Sequence, residues 1–255
     1  MIGAVLRAVL VALLLSPAVL AGGPEDTRPV GDAARLWRDG ARAEAVAAWS
    51  ERLDARIDGP HERARLAYNL GVAASAEGDA LRATAWFESA LRLDPRNGDA
   101  AHNVEISRAD AGLPPAASGD LTSAATAFMR RFEPHEARLL ALGGALLVLL
   151  VGLVHGLRGG RGARAGFAVA LLVQPILWAP LVRSLLVEGS DPVMVVRAGA
   201  GASVVVTPDA KAESVGRAAP GDVLERVEVY GAWTKVVWRG EERWIPSEDT
   251  VALAR

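Results

Sequence analysis

The sequence predicts a multi-domain chain: an all-α helical-repeat solenoid, a two-helix transmembrane hairpin and a small all-β barrel. Three observations predict it. Ala67-Tyr-Asn-Leu-Gly71 and Ala101-His-Asn-Val-Glu105 stand 34 residues apart, the period of a helix-turn-helix repeat. Leu139–Leu157 and Ala165–Val182 are apolar except for His155 and Gln174. From Val193 the apolar pattern changes from period 3.6 to period 2.

The chain opens with a single cation, Arg7, followed by the apolar run Ala8–Leu15, a Ser16-Pro17 break and the small residues around Ala21. This pattern marks residues 1–21 as a secretory signal peptide, with an uncleaved anchor helix as the alternative. Either one carries residues 22 onward out of the cytoplasm. The chain has no cysteine, which excludes disulfides, thiolate metal sites and cysteine nucleophiles. Its net charge of -2 is unevenly spread. Residues 22–118 carry 12 Arg against 16 Asp/Glu, residues 119–187 carry 7 Arg against 3, and residues 188–255 carry 8 Lys/Arg against 11. The positive charge therefore travels with the apolar segment, and acidic flanking domains make nucleic acid a poor partner.

Residues 22–112 form the helical domain. Between the two related segments lie Gly78-Asp79, Ala83, Phe87, Ala90 and Leu93-Asp94-Pro95. Together these positions closely resemble the tetratricopeptide repeat. Gly78-Asp79 supplies the turn, Pro95 ends the second helix, and the small Gly71 and Ala83 let the two helices approach. Leu36, Gly40, Ala45 and Trp49 make a weaker upstream copy, and Gly98–Gly112 supplies a capping helix. The resemblance implies a concave groove that holds a peptide or partner helix. Tyr68, Asn69, His102 and Asn103 are its candidate lining, and Asn69 and Asn103 occupy the same place in successive repeats. Asp99 and Glu105 flank His102 by three residues, too little for a metal site without a second His or Cys.

Residues 113–137 are a linker and juxtamembrane helix, the latter over Asp120–Phe132 with Leu121, Ala124, Ala125, Phe128 and Phe132 on one side. The first span is expected at 138–157 and the second at 165–187, each long enough for a hydrocarbon core of ~30 Å. The short connection at 158–164 makes the spans antiparallel neighbours, so everything before and after them lies on one side of the membrane. Arg158, Arg161 and Arg164 make that loop basic and therefore cytoplasmic. Arg130, Arg131 and Arg138 run against this bias.

Residues 193–255 read as short strands at Val193–Arg197, Ala202–Val206, Asp222–Val229, Trp233–Trp238 and Arg243–Ile245, separated by Gly- and Pro-containing turns. The order Ala219-Pro-Gly-Asp-Val-Leu224, Gly231-Ala-Trp-Thr-Lys-Val236 and Arg243-Trp-Ile-Pro246 resembles a bacterial SH3-like domain, although Arg243 stands where glycine is usual. Tyr230, Trp233, Trp238 and Trp244 are candidates for an aromatic ligand surface. Because Trp238 alternates with Val237, one of the two is expected outside.

No catalytic constellation is present: no HExxH, no glycine-rich loop with a lysine, no GxSxG. The histidines fall in four separate segments, and the acidic pairs Glu241-Glu242 and Glu248-Asp249 read as solvated. A non-enzymatic protein without a cofactor is expected. The order of parts resembles the Bat E type proteins of the Bacteroides aerotolerance operon. That resemblance implies an inner-membrane scaffold whose modules face the periplasm and recruit envelope proteins, with von Willebrand A-domain membrane proteins and a MoxR-type ATPase among the partners. Peptidoglycan binding through the SH3-like part is the alternative.

Overall fold

The computed structural model describes residues 28–116, 128–129, 132, 134–158 and 160–254. The expected signal peptide and most of the juxtamembrane helix lie outside the described residues. The chain divides into two compact units at Ala45/Val46. In the first, α1 (Arg28–Arg38) leads through a turn at Gly40, where φ is +88°, into α2 (Arg42–Ala55), which runs on into the second unit.

The second unit continues with α3 (Pro60–Ala76), α4 (Ala80–Leu93) and α5 (Gly98–Asp110). Their boundaries follow from local chemistry. Gly78, at φ +79°, turns the chain out of α3, and the Asp79 amide donates back to Ala74 O at 3.0 Å. The Asp79 side chain caps α4 by accepting from Arg82 N, and Asn97 caps α5 by accepting from Ala100 N. A Cβ on Gly71 would come within 2.6 Å of the Phe87 ring, so glycine sets how closely α3 and α4 approach. Ala74, Ala83, Phe87 and Val104 form the core shared by α3, α4 and α5.

Two long helices follow, α6 (Pro134–Arg158) and α7 (Arg161–Gly189). Each contains a stretch long and apolar enough to cross a membrane, His135–Leu157 and Arg164–Arg183. The helices overrun the expected span boundaries at both ends. The expected seven-residue loop shortens, because Arg161–Arg164 already forms the first turn of α7. Nothing in Arg-Gly-Ala-Arg stops a helix once Gly160 has made the turn at φ +97°. The helices approach closely at Gly144, where a Cβ would sit 2.8 Å from Leu177; Ala137 and Ala141 are also buried, and most other side chains of the pair are exposed or half-exposed. Gln174 spans the pair by donating Nε2 to Gly144 O at 2.9 Å.

Residues 192–252 form one antiparallel seven-stranded sheet: β1 (Pro192–Val195), β2 (Ala202–Val205), β3 (Ser214–Ala218), β4 (Val223–Tyr230), β5 (Trp233–Trp238), β6 (Glu241–Pro246) and β7 (Thr250–Ala252). The spatial order is β3-β2-β6-β5-β4-β1-β7. The expected barrel is thus, by its hydrogen bonding, an open sheet with β3 and β7 at its edges. Two strands were not expected. β3 is mostly exposed, with only Ala218 entering the core, and is held by its ladder to β2; β7 is three residues long. Val193, Val195, Val204, Val236 and Ile245 fill the core of the sheet.

Candidate functional site

The four predicted groove residues divide. Asn103 donates Nδ2 to Tyr68 Oη at 3.1 Å, which joins α5 to α3. The Tyr68 ring lies on Phe87, with centroids 5.5 Å apart. These two side chains are thereby spent partly on each other. Asn69 is half-buried, and His102 stands exposed. Asp99 and Glu105 are exposed on the same helix, and no three His, Asp or Glu side chains gather to hold a metal among the described residues. Sequence reasoning passed over Val72 and Ile106, both exposed and, like Asn69 and Asn103, 34 residues apart. Their equal spacing was the signal that could have found them.

On the sheet, three of the four predicted aromatics come together. Cross-strand pairing sets Trp233 opposite Tyr230 and Pro246, and Lys235 opposite Trp244 and Glu228, all on one face. Tyr230 is exposed and meets Trp244 edge-on at 6.4 Å between centroids. Lys235 Nζ sits 5.2 Å from the Trp244 ring centroid and pairs with Glu228 at 3.0 Å and Glu242 at 3.2 Å. Hydrogen bonds to Glu228 and then Glu242 hold the Lys235 ammonium above its usual pKa. Trp238 points to the other face and packs on the core; a Cβ on Gly216 would strike its ring at 2.5 Å. Val237 is the exposed member of that pair, as the alternation predicts. The acidic pairs are taken up by cations: Glu241 pairs with Arg243, Glu242 with Lys235, and Asp249 with Arg197.

The three topology arginines stand at the turn between α6 and α7. Arg158 ends α6, Arg161 begins α7, and Arg164 is exposed; the side chains of Arg158 and Arg161 lie outside the described residues.

A larger feature was not foreseen. Leu81 and Ala85 of α4 form one buried cluster with Met194, Val196, Val251 and Leu253, backed by Trp86, Ala111 and Leu113. The Ala254 amide donates to Ser89 Oγ at the end of this seam. Strand β1 is buried on both faces: Val193 and Val195 enter the sheet core, and Met194, with Val196 just past the strand, enters the seam. Both ends of the α6–α7 hairpin are also tied down. Arg96, between α4 and α5, reaches Glu136 in the first turn of α6 at 2.8 Å. Asp191, just past α7, makes a bidentate pair with Arg226 of β4.

No family model matches the chain, and neither a curated protein nor a solved structure does.

Proposed function

We propose that this protein is a membrane-anchored, non-enzymatic interaction scaffold of a bacterial cell envelope. The α6–α7 hairpin crosses the cytoplasmic membrane, in contact with the lipid bilayer, and the helical part and the sheet stand together on its extracytoplasmic side. The observation that carries this reading is the seam between α4 and strands β1 and β7. The helices precede the hairpin and the sheet follows it, yet they share one buried apolar cluster. Chain on both sides of the hairpin must then occupy one compartment, which a two-helix membrane anchor satisfies.

The helices act as tetratricopeptide repeats whose groove, around Asn69, Val72, Asn103 and Ile106, takes a peptide or helix from another envelope protein. The sheet acts as an SH3-like module. The resemblance in part order to Bat E type proteins makes A-domain membrane proteins the partners to test first, alongside a MoxR-type ATPase system in aerotolerance or stress. A second reading, peptidoglycan binding or sensing, is favoured by Tyr230, Trp233 and Trp244 sharing one sheet face, since aromatic faces rimmed by charge suit glycan and peptide ligands.

Reporter fusions active only in the periplasm test the arrangement. Activity after Arg255 with silence at Gly160 is the expected outcome; the reverse puts both modules in the cytoplasm and ends this proposal. Co-purification of A-domain proteins from cross-linked envelopes supports the scaffold, whereas sedimentation with isolated peptidoglycan supports the second reading.

A further inference from the structure

The far end of β4 lies close to where the chain leaves α7. β4 runs antiparallel to β1, with Met194 opposite Val223 and Pro192 opposite Glu225. It therefore advances toward the end of β1 that α7 feeds. The pairing runs out at Asp191, whose carbonyl accepts from Arg226 N at 2.8 Å and whose carboxylate holds the Arg226 guanidinium. Past that clamp β4 continues through Val227–Tyr230 and turns at Gly231-Ala232 into β5. At about 3.3 Å per residue, Tyr230 stays within roughly 13 Å of Arg226, whichever way the bulge at Val227 turns the strand. Asp191 itself follows the last residue of α7, Gly189, by two positions. Leu185 and Leu186, both exposed, carry the outward apolar surface of α7 nearly to that point.

The tip of the β4–β5 hairpin is a ribbon with apolar side chains open on both faces. Val227 is exposed, Val229 is 56% exposed, and Tyr230, on the opposite face from Val229 and across from Trp233, is 67% exposed. Valine favours strands, so two exposed valines alone would say little. Their surroundings say more. The one charged residue between Val227 and Trp233 is Glu228, and Lys235 pairs with it at 3.0 Å. At the other end of β5, by contrast, the turn Arg239-Gly-Glu-Glu-Arg243 carries four charged residues in five. The two ends of β5 differ as a lipid-facing end and a water-facing end would. Tyrosine and tryptophan are also the side chains enriched where a bilayer meets water.

We propose that the β4–β5 tip, with Val227, Val229, Tyr230 and Trp233, rests in the interfacial layer of the same bilayer that α6 and α7 cross. The Asp191–Arg226 clamp holds it there, so the sheet is fixed to the membrane at a second point beside its covalent link to α7. This rests on the reading of α6–α7 as a membrane hairpin, which the test checks separately.

Because the chain has no cysteine, Leu149→Cys, Val229→Cys and Glu241→Cys each place one spin label in the full chain in nanodiscs. Collisions with oxygen, which enters lipid, are compared with collisions with a nickel chelate, which stays in water. The oxygen-to-nickel ratio at 229 should stand several-fold above that at 241 and below that at 149. A high ratio at 149 with equal, low ratios at 229 and 241 overturns the proposal, leaves the hairpin in the membrane, and gives the tip to a soluble ligand. A low ratio at 149 overturns the membrane reading and this proposal with it. In an Ala232→Cys chain, adding Val227→Asp and Val229→Asp should drop the label's ratio to the level at 241. Both positions are exposed, so the melting temperature should not move. An unchanged ratio at 232 would show that the valines make no lipid contact and would also overturn the assignment.

Discussion

Two helix pairs in this chain have nearly the same inner geometry and opposite outer surfaces. In α3–α4, Gly71 lies under Phe87; in α6–α7, Gly144 lies under Leu177. The first pair hides its large side chains, with Leu66 at 0% and Phe87 at 2% exposure. The second displays them, with Leu149 at 67% and Leu172 at 75%. In water, burial of apolar surface drives the first pair together. For the second, if it spans a membrane as proposed, lipid tails are as apolar as leucine, so close packing and the Gln174 hydrogen bond would hold it. A glycine contact therefore says that two helices approach, and only the outward face says in which solvent.

The contrast can be broken experimentally, most strongly at Phe87. Phe87→Ala removes the side chain that fills the space among Gly71, Tyr68 and Val104, and should cost about 3–5 kcal/mol. Leu149→Ala, outward on α6, should leave the same denaturation midpoint unmoved. Equal losses would show that α6 is packed in a soluble core. A smaller effect comes from Gly71→Ala, which presses on the buried Phe87 ring and should cost about 1–3 kcal/mol. Gly144→Ala should cost less, because the Leu177 Cδ1 it meets is the far end of a flexible side chain and can swing aside. Urea titration of the helical part, and thermal unfolding in detergent for the hairpin, compare the two. The smallest expected effect is Gln174→Leu, worth about 0.6–2 kcal/mol of helix association. It removes the bond to Gly144 O and leaves Trp178 Nε1 without its acceptor. Cross-linking between α6 and α7 in bilayers reads this directly; no change would remove Gln174 from the account of the hairpin.

Much of the helical part was legible because its signals are local. Gly78-Asp79 and Asp94-Pro95 punctuate the chain where the helices turn, and the 19- and 18-residue apolar runs foretell α6 and α7. The candidate site was less legible. Tyr68 and Asn103 both read as groove residues, but their mutual hydrogen bond depends on how α3 and α5 pack, across 35 residues. The aromatic face was foreseen in composition and not in membership, since Trp238 turns to the core and Lys235 joins the outer face instead. Strand β3 escaped because it lacks an alternating pattern.

The sequence by itself determined where the chain turns between the repeat helices, which stretches are apolar enough for a bilayer, and where period 2 replaces period 3.6. These follow from single-residue preferences and near-neighbour spacing. Only the tertiary structure decided that the sheet docks on α4. One trace of it was present: Val193-Met-Val-Val196 is apolar at every position, as a strand buried on both faces must be. The run announces a second buried face but cannot name what covers it. The covering residues, Leu81 and Ala85, lie more than a hundred positions earlier, and only folding brings them within reach.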